Sequence, residues 1–269
     1  MDNKVVLITG GSSGIGLAIG QYLTAKGYKV YGSTRSLEKH SDFRDFKLLE
    51  LDVRETSSIN NAVNEILEIE GRIDILINNA GVGITGPVEE TPRAEIQKVF
   101  DTNFYGPFEV SRAVLPIMRK QGSGFILNIT SLAGFMGLPF RGFYSASKGA
   151  LELMTEALRM ETRSFGIKIS NLAPGDIATN IAAGRYHAPL EKGSPYESTY
   201  GMSLDLMNEH VDHGMDPKRV AVKVFKILNT TKPKVHYTVG SPMQKFSLIL
   251  KKILPDKVYE RLLLNHYKL

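Results

Sequence analysis

Short apolar runs alternate with segments of helical period along most of the chain. Residues 5–8 form a buried-strand pattern that ends at a glycine cluster. Residues 15–26 then carry apolar positions at helical spacing and stop at Gly27. Residues 29–33, 47–51 and 73–77 read as the next three strands, with a helix over 57–70 between the last two. Two more strand patterns, 125–129 and 168–172, flank a long helix predicted over 143–164, and 235–239 reads as a final strand. Strand and helix in regular alternation are the signature of βαβ units on a parallel sheet. The pattern therefore predicts an α/β fold, a doubly wound parallel sheet of about seven strands with helices on both faces, in one domain spanning 1–269.

Two regions break this rhythm. Residues 176–216 carry Gly184, Pro189, Gly193, Pro195, Gly201 and Gly214 with short helical patches between them, the mark of an insertion over a site. From 240 onward, Phe246, Ile249, Leu250, Ile253 and Leu254 recur at helical spacing, Pro255 breaks the run, and Val258, Leu262 and Leu263 resume it. This apolar stripe has to bury against protein or lipid. The expectation is that it packs chiefly on the protein beside the insertion and helps enclose a substrate pocket. Lys251, Lys252, Lys257, Arg261 and Lys268 form a basic opposite face, which leaves peripheral contact with an anionic membrane open.

Composition narrows the field. With 269 residues, 42% of them hydrophobic and 23% charged, the chain supplies apolar surface for one large core. Cysteine is absent, so there are no disulfides or thiolate metal sites, and a reducing cytoplasm is the expected setting. Neither a signal-peptide pattern nor an apolar run of membrane-spanning length appears. The net charge of +5 comes from scattered residues, which argues against a nucleic-acid surface.

The glycine cluster is the first candidate for chemistry. A strand that hands over to a helix at Gly14-Ile15-Gly16 would aim backbone N–H groups and the positive end of a helix dipole at a pyrophosphate. Gly10 suits the turn, Gly14 a close approach to phosphate and Gly16 tight packing, with Ser12 and Ser13 between them. The Gly-x-x-x-Gly-x-Gly spacing departs from the general dinucleotide fingerprint. At the end of the second strand an acid would accept from the 2′-hydroxyl of NAD, whereas arginine would grip the 2′-phosphate of NADP. The chain has Thr34-Arg35 there and no acid, so NADP(H) is the expected cofactor.

The second candidate is the pair Tyr144 and Lys148. A free phenol titrates near about 10, too high for acid–base work at neutral pH without neighbouring positive charge. Lys148, four residues on, shares a helix face with Tyr144. Ser131 follows a predicted strand, at the carboxyl end where ligands bind in open α/β sheets, and its hydroxyl suits a developing oxyanion.

Taken together, these motifs resemble the short-chain dehydrogenase/reductase family, whose pattern is matched over about residues 4–180. The resemblance implies a Rossmann-type fold and hydride transfer between NADP(H) and a carbonyl or alcohol. It implies that Tyr144 exchanges the proton, that Lys148 also holds the nicotinamide ribose, and that Asn103 supports a water linking this lysine to solvent. It further assigns Asp52, with Val53 beside it, to the adenine, and Asn79, Ala80 and Gly81 to the turn behind the adenine ribose. Pro174 and Gly175 bend the chain, and Ile177 and Thr179 resemble the residues that hold the carboxamide. Ser13 stands where some NADP-preferring members carry a second basic residue, which leaves Arg35 as the main determinant.

Leu115-Pro116-Ile117-Met118-Arg119 and Phe140-Arg141-Gly142-Phe143-Tyr144 are similar to the steroid- and retinol-dehydrogenase-like branch. Phe135, Met136, Leu138, Phe140, Phe143, Met202, Leu204, Leu206, Met207 and Met215 are the expected apolar border of the site, favouring a steroid-, retinoid- or long-chain-like substrate. The stretches 104–120 and 143–164 resemble the two helices through which family members pair, so a homodimer or homotetramer is expected. His210 and His213 have a metal-compatible spacing but no companion ligands, and no metal is expected. A competing reading is a non-catalytic NADP(H)-sensing protein, which would not need Ser131, Tyr144 and Lys148 together.

Overall fold

The computed structural model describes residues 3–179, 184–212 and 214–269. The chain opens with β1 (Val5–Ile8), α1 (Gly14–Ala25), β2 (Lys29–Thr34), β3 (Lys47–Glu50), α2 (Thr56–Glu70) and β4 (Ile75–Asn78). After β5 (Ile84–Thr85) come α3 (Arg93–Phe100), α4 (Gly106–Gln121), β6 (Gly124–Ile129), α5 (Gly142–Glu161) and β7 (Ile167–Pro174). The remainder is β8 (Tyr186–His187), α6 (Glu197–Asp212), α7 (Pro217–Leu228), β9 (His236–Val239), α8 (Pro242–Ile253) and α9 (Asp256–Tyr267). Seven strands form one parallel sheet in the order β3-β2-β1-β4-β6-β7-β9, as the alternating pattern predicts. Strand order reverses between β1 and β4, and the crevice outside their carboxyl ends is where such sheets bind ligands.

Each central strand is apolar on both sides because helices cover both faces. Val5 and Leu7 point to the face covered by α2 and α4, packing with Ile59, Ile66, Val110, Val114 and Met118. Val6 and Ile8 point the other way, onto Ile19 and Leu23 of α1 and Val220, Val224 and Ile227 of α7. Burying each such side chain contributes about 1.5–3 kcal/mol, so the two clusters hold the sheet edge-to-edge rigid beneath the site.

Several boundaries differ from the sequence reading for local reasons. The fourth strand starts at Ile75, because the Asp74 carboxylate instead accepts from Val5 N at 2.8 Å and pairs with Arg72. Helix α5 ends at Glu161, and a short 3₁₀ turn, Arg163–Phe165, runs into Gly166 at φ 73°. The helix expected over 104–120 is the second half of a longer one. It runs from α3 through a π-helical turn, Asp101–Tyr105, into α4, which tolerates Pro116 inside it.

Among its described residues the insertion carries β8 and the long helix α6, more regular structure than its glycines and prolines suggest. Its base closes through Ala178 N to Met215 O (3.0 Å) and Met215 N to Asp176 O (3.0 Å), and β8 pairs in parallel with β5. The side chains of His210 and His213 lie outside the described residues. The tail is two helices broken at Pro255, as expected, with Ser241 and Gln244 forming a capping box at the start of α8. Helix α9 meets α6 of the insertion and α8 meets the turn over 132–135, the placement expected, but of the stripe only Leu250, Leu254 and Leu263 are half-buried. Phe246, Ile249 and Ile253 are 50%, 54% and 68% exposed, and Val258 and Leu262 are also exposed. The tail is fastened instead by Tyr259 and Tyr267, both buried, with the Tyr259 hydroxyl donating to Met136 Sδ at 3.0 Å. The helical spacing that located the stripe says nothing about which face meets the body, and the phenols, able to bury a ring and still find a polar partner, won that contact. Among the described residues no helix is long and apolar enough to cross a membrane.

Candidate active site

The turn after β1 is built by backbone that only glycine permits. Gly10 and Gly14 hold φ of 65° and 53°, in the left-handed region. A Cβ on Gly16 would stand 2.2 Å from the Gly10 carbonyl oxygen and 2.6 Å from Asn79 Nδ2, so Gly16 packs against its own turn. Asn79 locks that turn from β4: its Nδ2 donates to the carbonyls of Thr9 and Gly10, both at 3.0 Å. The Thr9 hydroxyl oxygen accepts from the N–H of Asn79 and of Ala80, again at 3.0 Å. From β2, Ser33 Oγ accepts from Gly10 N at 3.0 Å. Gly11, to which sequence reasoning gave no role, lies so close to β2 that a Cβ would meet Gly32 Cα at 2.7 Å. Ser13 caps α1 with extended backbone and Ile15 packs behind it, so the first turn of α1 faces the crevice.

On the adenine side, Thr34 is buried at the end of β2 and Arg35 is exposed beyond it. Asp52 follows β3 and is already engaged. Arg54 Nε donates to its Oδ1 at 3.0 Å and Arg54 Nη2 to its Oδ2 at 2.6 Å, while Arg54 N also donates to Oδ1. These bonds, offset in part by burial, hold the carboxyl below the usual range, and Arg35 adds a smaller push the same way. Asp52 thus caps the turn that follows β3. Val53 is buried against Gly106 at the start of α4.

Tyr144, Lys148, Ser131 and Asn103 are all buried around the mouth of β6. Ser131 opens the 3₁₀ turn Leu132–Phe135, accepting from Ala133 N at 3.2 Å, and Ala133 packs with Tyr144. Gly134 lets this turn rest on the backbone of Lys148, where a Cβ would come within 3.1 Å. Lys148 Nζ donates to Ile129 O at 3.1 Å. Burial pushes its ammonium below the usual lysine range, opposed by Tyr144 and Glu152. Asn103 sits in the π-helical turn, and its amide clasps the Val82 backbone, Oδ1 accepting at 2.8 Å and Nδ2 donating at 2.9 Å. Its Oδ1 and Lys148 Nζ each lie 3.3 Å from where a Cβ of Gly81 would stand, so the two groups flank one glycine.

The segment after β7 reaches back over the cradle. Pro174 ends that strand, and Gly175 admits Gln244 of the tail, whose Oε1 a Cβ would meet at 2.2 Å. Ile177 is buried, and the Thr179 methyl lies 3.4 Å from the Cβ position of Gly14, directly over the turn. Of the apolar border, Leu138 and Phe143 pack with Tyr144, half-buried Phe135, Met136 and Phe140 meet His236, Tyr259 and Tyr200 respectively, and Met202 faces outward. A cleft of about 350 Å³ lies elsewhere, between α7 and β9, and none of the four residues lines it.

Behind the site runs a polar ladder absent from the sequence reading. Asn78, Asn128 and Asn171 stand side by side on β4, β6 and β7. Asn78 Nδ2 donates to Asn128 Oδ1 at 2.8 Å, and Asn128 Nδ2 to Thr155 Oγ1 of α5 at 2.8 Å. Buried Glu152, one turn beyond Lys148, accepts from Thr130 and from Asn171 Nδ2 (2.6 Å) and meets His236 Nδ1 at 2.6 Å. Burial pushes the Glu152 carboxyl up while these partners oppose it. The ladder fixes the height and rotation of α5 and hence of Tyr144 and Lys148. A lone asparagine in each of three apolar strands was its visible signal.

The short chain dehydrogenase family model matches residues 4–189. A 3-ketodihydrosphingosine reductase of Bacteroides thetaiotaomicron is 36% identical over 97% of this chain and 96% of its own. An NADPH-dependent 3-dehydrocapnine reductase of Ornithobacterium rhinotracheale is 30% identical over 98% of both chains. A solved short-chain dehydrogenase of Streptomyces avermitilis superposes with a TM-score of 0.82 at 31% identity, covering 98% of this chain and 97% of that one. A cradle of obligatory glycines, a buried Tyr-x-x-x-Lys face and whole-length relatives agree, and the chain belongs to the short-chain dehydrogenase/reductase family as an oxidoreductase that uses a nicotinamide cofactor.

Proposed function

We propose that the protein is a single-domain NADP(H)-dependent reductase of an apolar, long-chain carbonyl compound, working with Ser131, Tyr144, Lys148 and Asn103. The observation that carries this reading is the shared burial of Tyr144 and Lys148 one helical turn apart, with Asn103 Oδ1 and Lys148 Nζ both facing Gly81. The cradle fits a dinucleotide, because the left-handed Gly10 and Gly14 and the close-packed Gly16 shape a turn that presents the N-terminus of α1, where a pyrophosphate sits well. When bound, the cofactor supplies the hydride. Residues of the chain do the rest. Ser131 donates to the substrate oxygen and shares its growing negative charge, and Tyr144 delivers the proton to that oxygen. Lys148 steadies the phenolate left behind and orients the nicotinamide ribose, with Asn103 supporting a water that returns a proton from solvent.

At the adenine end, Thr34 and exposed Arg35 favour the 2′-phosphate, with Asp52 and Val53 beside the base and Asn79 to Gly81 behind the ribose. Pro174, Gly175, Ile177 and Thr179 border the carboxamide. Two relatives named as reductases of 3-ketodihydrosphingosine and 3-dehydrocapnine, the second of them NADPH-dependent, support the carbonyl class and the cofactor. Tyr144→Phe removes one hydroxyl and is expected to lower turnover at least about 10²-fold while circular dichroism and NADPH binding persist. A folded variant with near-normal turnover would sink the mechanism.

A further inference from the structure

Arg185 is the most anomalous charge in the molecule. It stands just before β8, only 8% exposed, and its Nη1 has no hydrogen-bond partner. The β5–β8 ribbon holds it there, with Tyr186 N donating to Gly83 O at 3.0 Å. Its side chain lies across Gly83, where a Cβ would come 3.1 Å from Arg185 Cγ and 3.4 Å from Nε. A second guanidinium stands nearby. Arg141, at the start of α5, has its Cζ 5.4 Å from the centroid of the Tyr144 ring.

Burial first, and the Arg141 charge second, push the Arg185 guanidinium below its usual range, with Tyr144, Asp176 and Tyr200 opposing. Asp176, the nearest carboxylate to exert such a pull, has its Oδ2 bonded to Gln244 Nε2 at 2.6 Å. Among the described residues neither arginine forms a salt bridge. A guanidinium buried with an idle donor costs free energy that a bound anion recovers through charge-assisted hydrogen bonds. Being rigid and planar, a guanidinium favours an oxyacid group that it grips with two N–H bonds.

Resting on the reading that Tyr144 protonates a carbonyl, we infer that the substrate carries an anionic oxyacid group, a sulfonate, phosphate or carboxylate, a few bonds from that carbonyl, held by Arg185 with the Arg141 charge adding to the attraction. The substrate is then amphipathic, its charged end on the arginines and its apolar chain towards half-buried Phe140, whose ring centroid lies 5.3 Å from that of Tyr200. A cationic substituent in the same place is repelled. Phe140 adopts φ 56°, a strained value for a bulky residue, in the segment that carries Arg141, as expected where a binding wall is held against local preference.

The test uses two probes. The first is a plain long-chain alkyl sulfonate without a carbonyl, titrated below its micelle concentration into the full-length protein by calorimetry. It is expected to bind the wild type and to lose roughly tenfold or more in affinity in Arg185→Gln, with partial recovery in Arg185→Lys. Equal binding by wild type and Arg185→Gln would overturn the inference, as would no binding by the wild type. The second compares kcat/KM for a long-chain 3-oxoalkane sulfonate with that of the uncharged ketone of equal length. The wild type is expected to favour the sulfonate at least about tenfold, and Arg185→Gln to collapse that ratio. NADPH titration separates the other source of anions. If Arg185→Gln weakens NADPH as much as it weakens the sulfonate, the guanidinium serves the cofactor phosphates and the inference fails. Sulfonate binding that depends on Arg185 without any ketone turnover would leave the anion site standing and refute the carbonyl chemistry alone.

Discussion

Replacing Gly16 by alanine tests whether the cofactor turn is held by sterics as well as by conformation. The added methyl would stand 2.2 Å from the Gly10 carbonyl oxygen and 2.6 Å from Asn79 Nδ2, so one or both must move. Both are parts of the same lock, since Asn79 Nδ2 donates to that carbonyl. Overpacking of this kind costs about 1–3 kcal/mol, and disturbing the two amide bonds of Asn79 adds roughly 1 kcal/mol each. The expected loss is therefore about 3–5 kcal/mol of stability, together with at least a tenfold fall in NADPH affinity as the turn opens. Gly27→Ala is the control. Gly27 has φ 83° but open space around its Cβ position, so it carries backbone strain of about 1–2 kcal/mol and no clash with the turn. Urea unfolding and fluorescence titration with NADPH measure the two quantities. Because the new methyl displaces the Asn79 amide, Gly16→Ala and Asn79→Ala share part of their cost, and the double variant is expected to be less destabilised than the sum by at least about 0.5 kcal/mol. Should Gly16→Ala prove no worse than Gly27→Ala, or strictly additive with Asn79→Ala, the packing account of the turn is wrong.

Three further outcomes follow from other parts of the molecule. NADPH is expected to bind more tightly than NADH, and Thr34→Asp to reverse the order by repelling the 2′-phosphate; a wild-type preference for NADH would remove the role given to Arg35. Burial first and then Glu70 raise the Tyr31 phenol to about 12, its hydroxyl donating to Glu70 Oε1 at 2.8 Å. The folded state therefore keeps a proton that the unfolded chain sheds, so this stabilisation is complete below the ordinary phenol range and is lost as pH rises towards about 12. Alkaline difference titration of wild type against Tyr31→Phe should reveal one phenol titrating that high, and a difference at ordinary phenol pH would refute it. Leu153 and Met160 lie on one stripe of α5, 69% and 71% exposed, where pairing with a second copy would cover them. Light scattering is expected to give a dimeric or tetrameric mass that Leu153→Glu with Met160→Glu reduces to a monomer; a monomeric wild type would contradict the pairing.

The main sheet was legible because its central strands, covered on both faces, are short runs of mostly apolar residues, as in β1, β4 and β6. The Tyr144 and Lys148 pair was legible because helical periodicity alone puts both on one face. What stayed hidden depended on distant contacts. Strands β5 and β8 have two residues each, too few for any period, and exist because the insertion folds back onto Gly83 and Thr85. The π-helical turn that aims Asn103 inward adds a residue to one turn of an otherwise ordinary helix, which apolar spacing does not register. Arg185 reads as one more surface charge in a polar insertion, and only the ribbon shows that it is buried.

The contact from Tyr259 to Met136 joins residues 123 apart. Every strand of the main sheet, by contrast, precedes Gly240. During synthesis the nucleotide shelf and the sheet beneath it can therefore be finished while the substrate wall still lacks its last two helices.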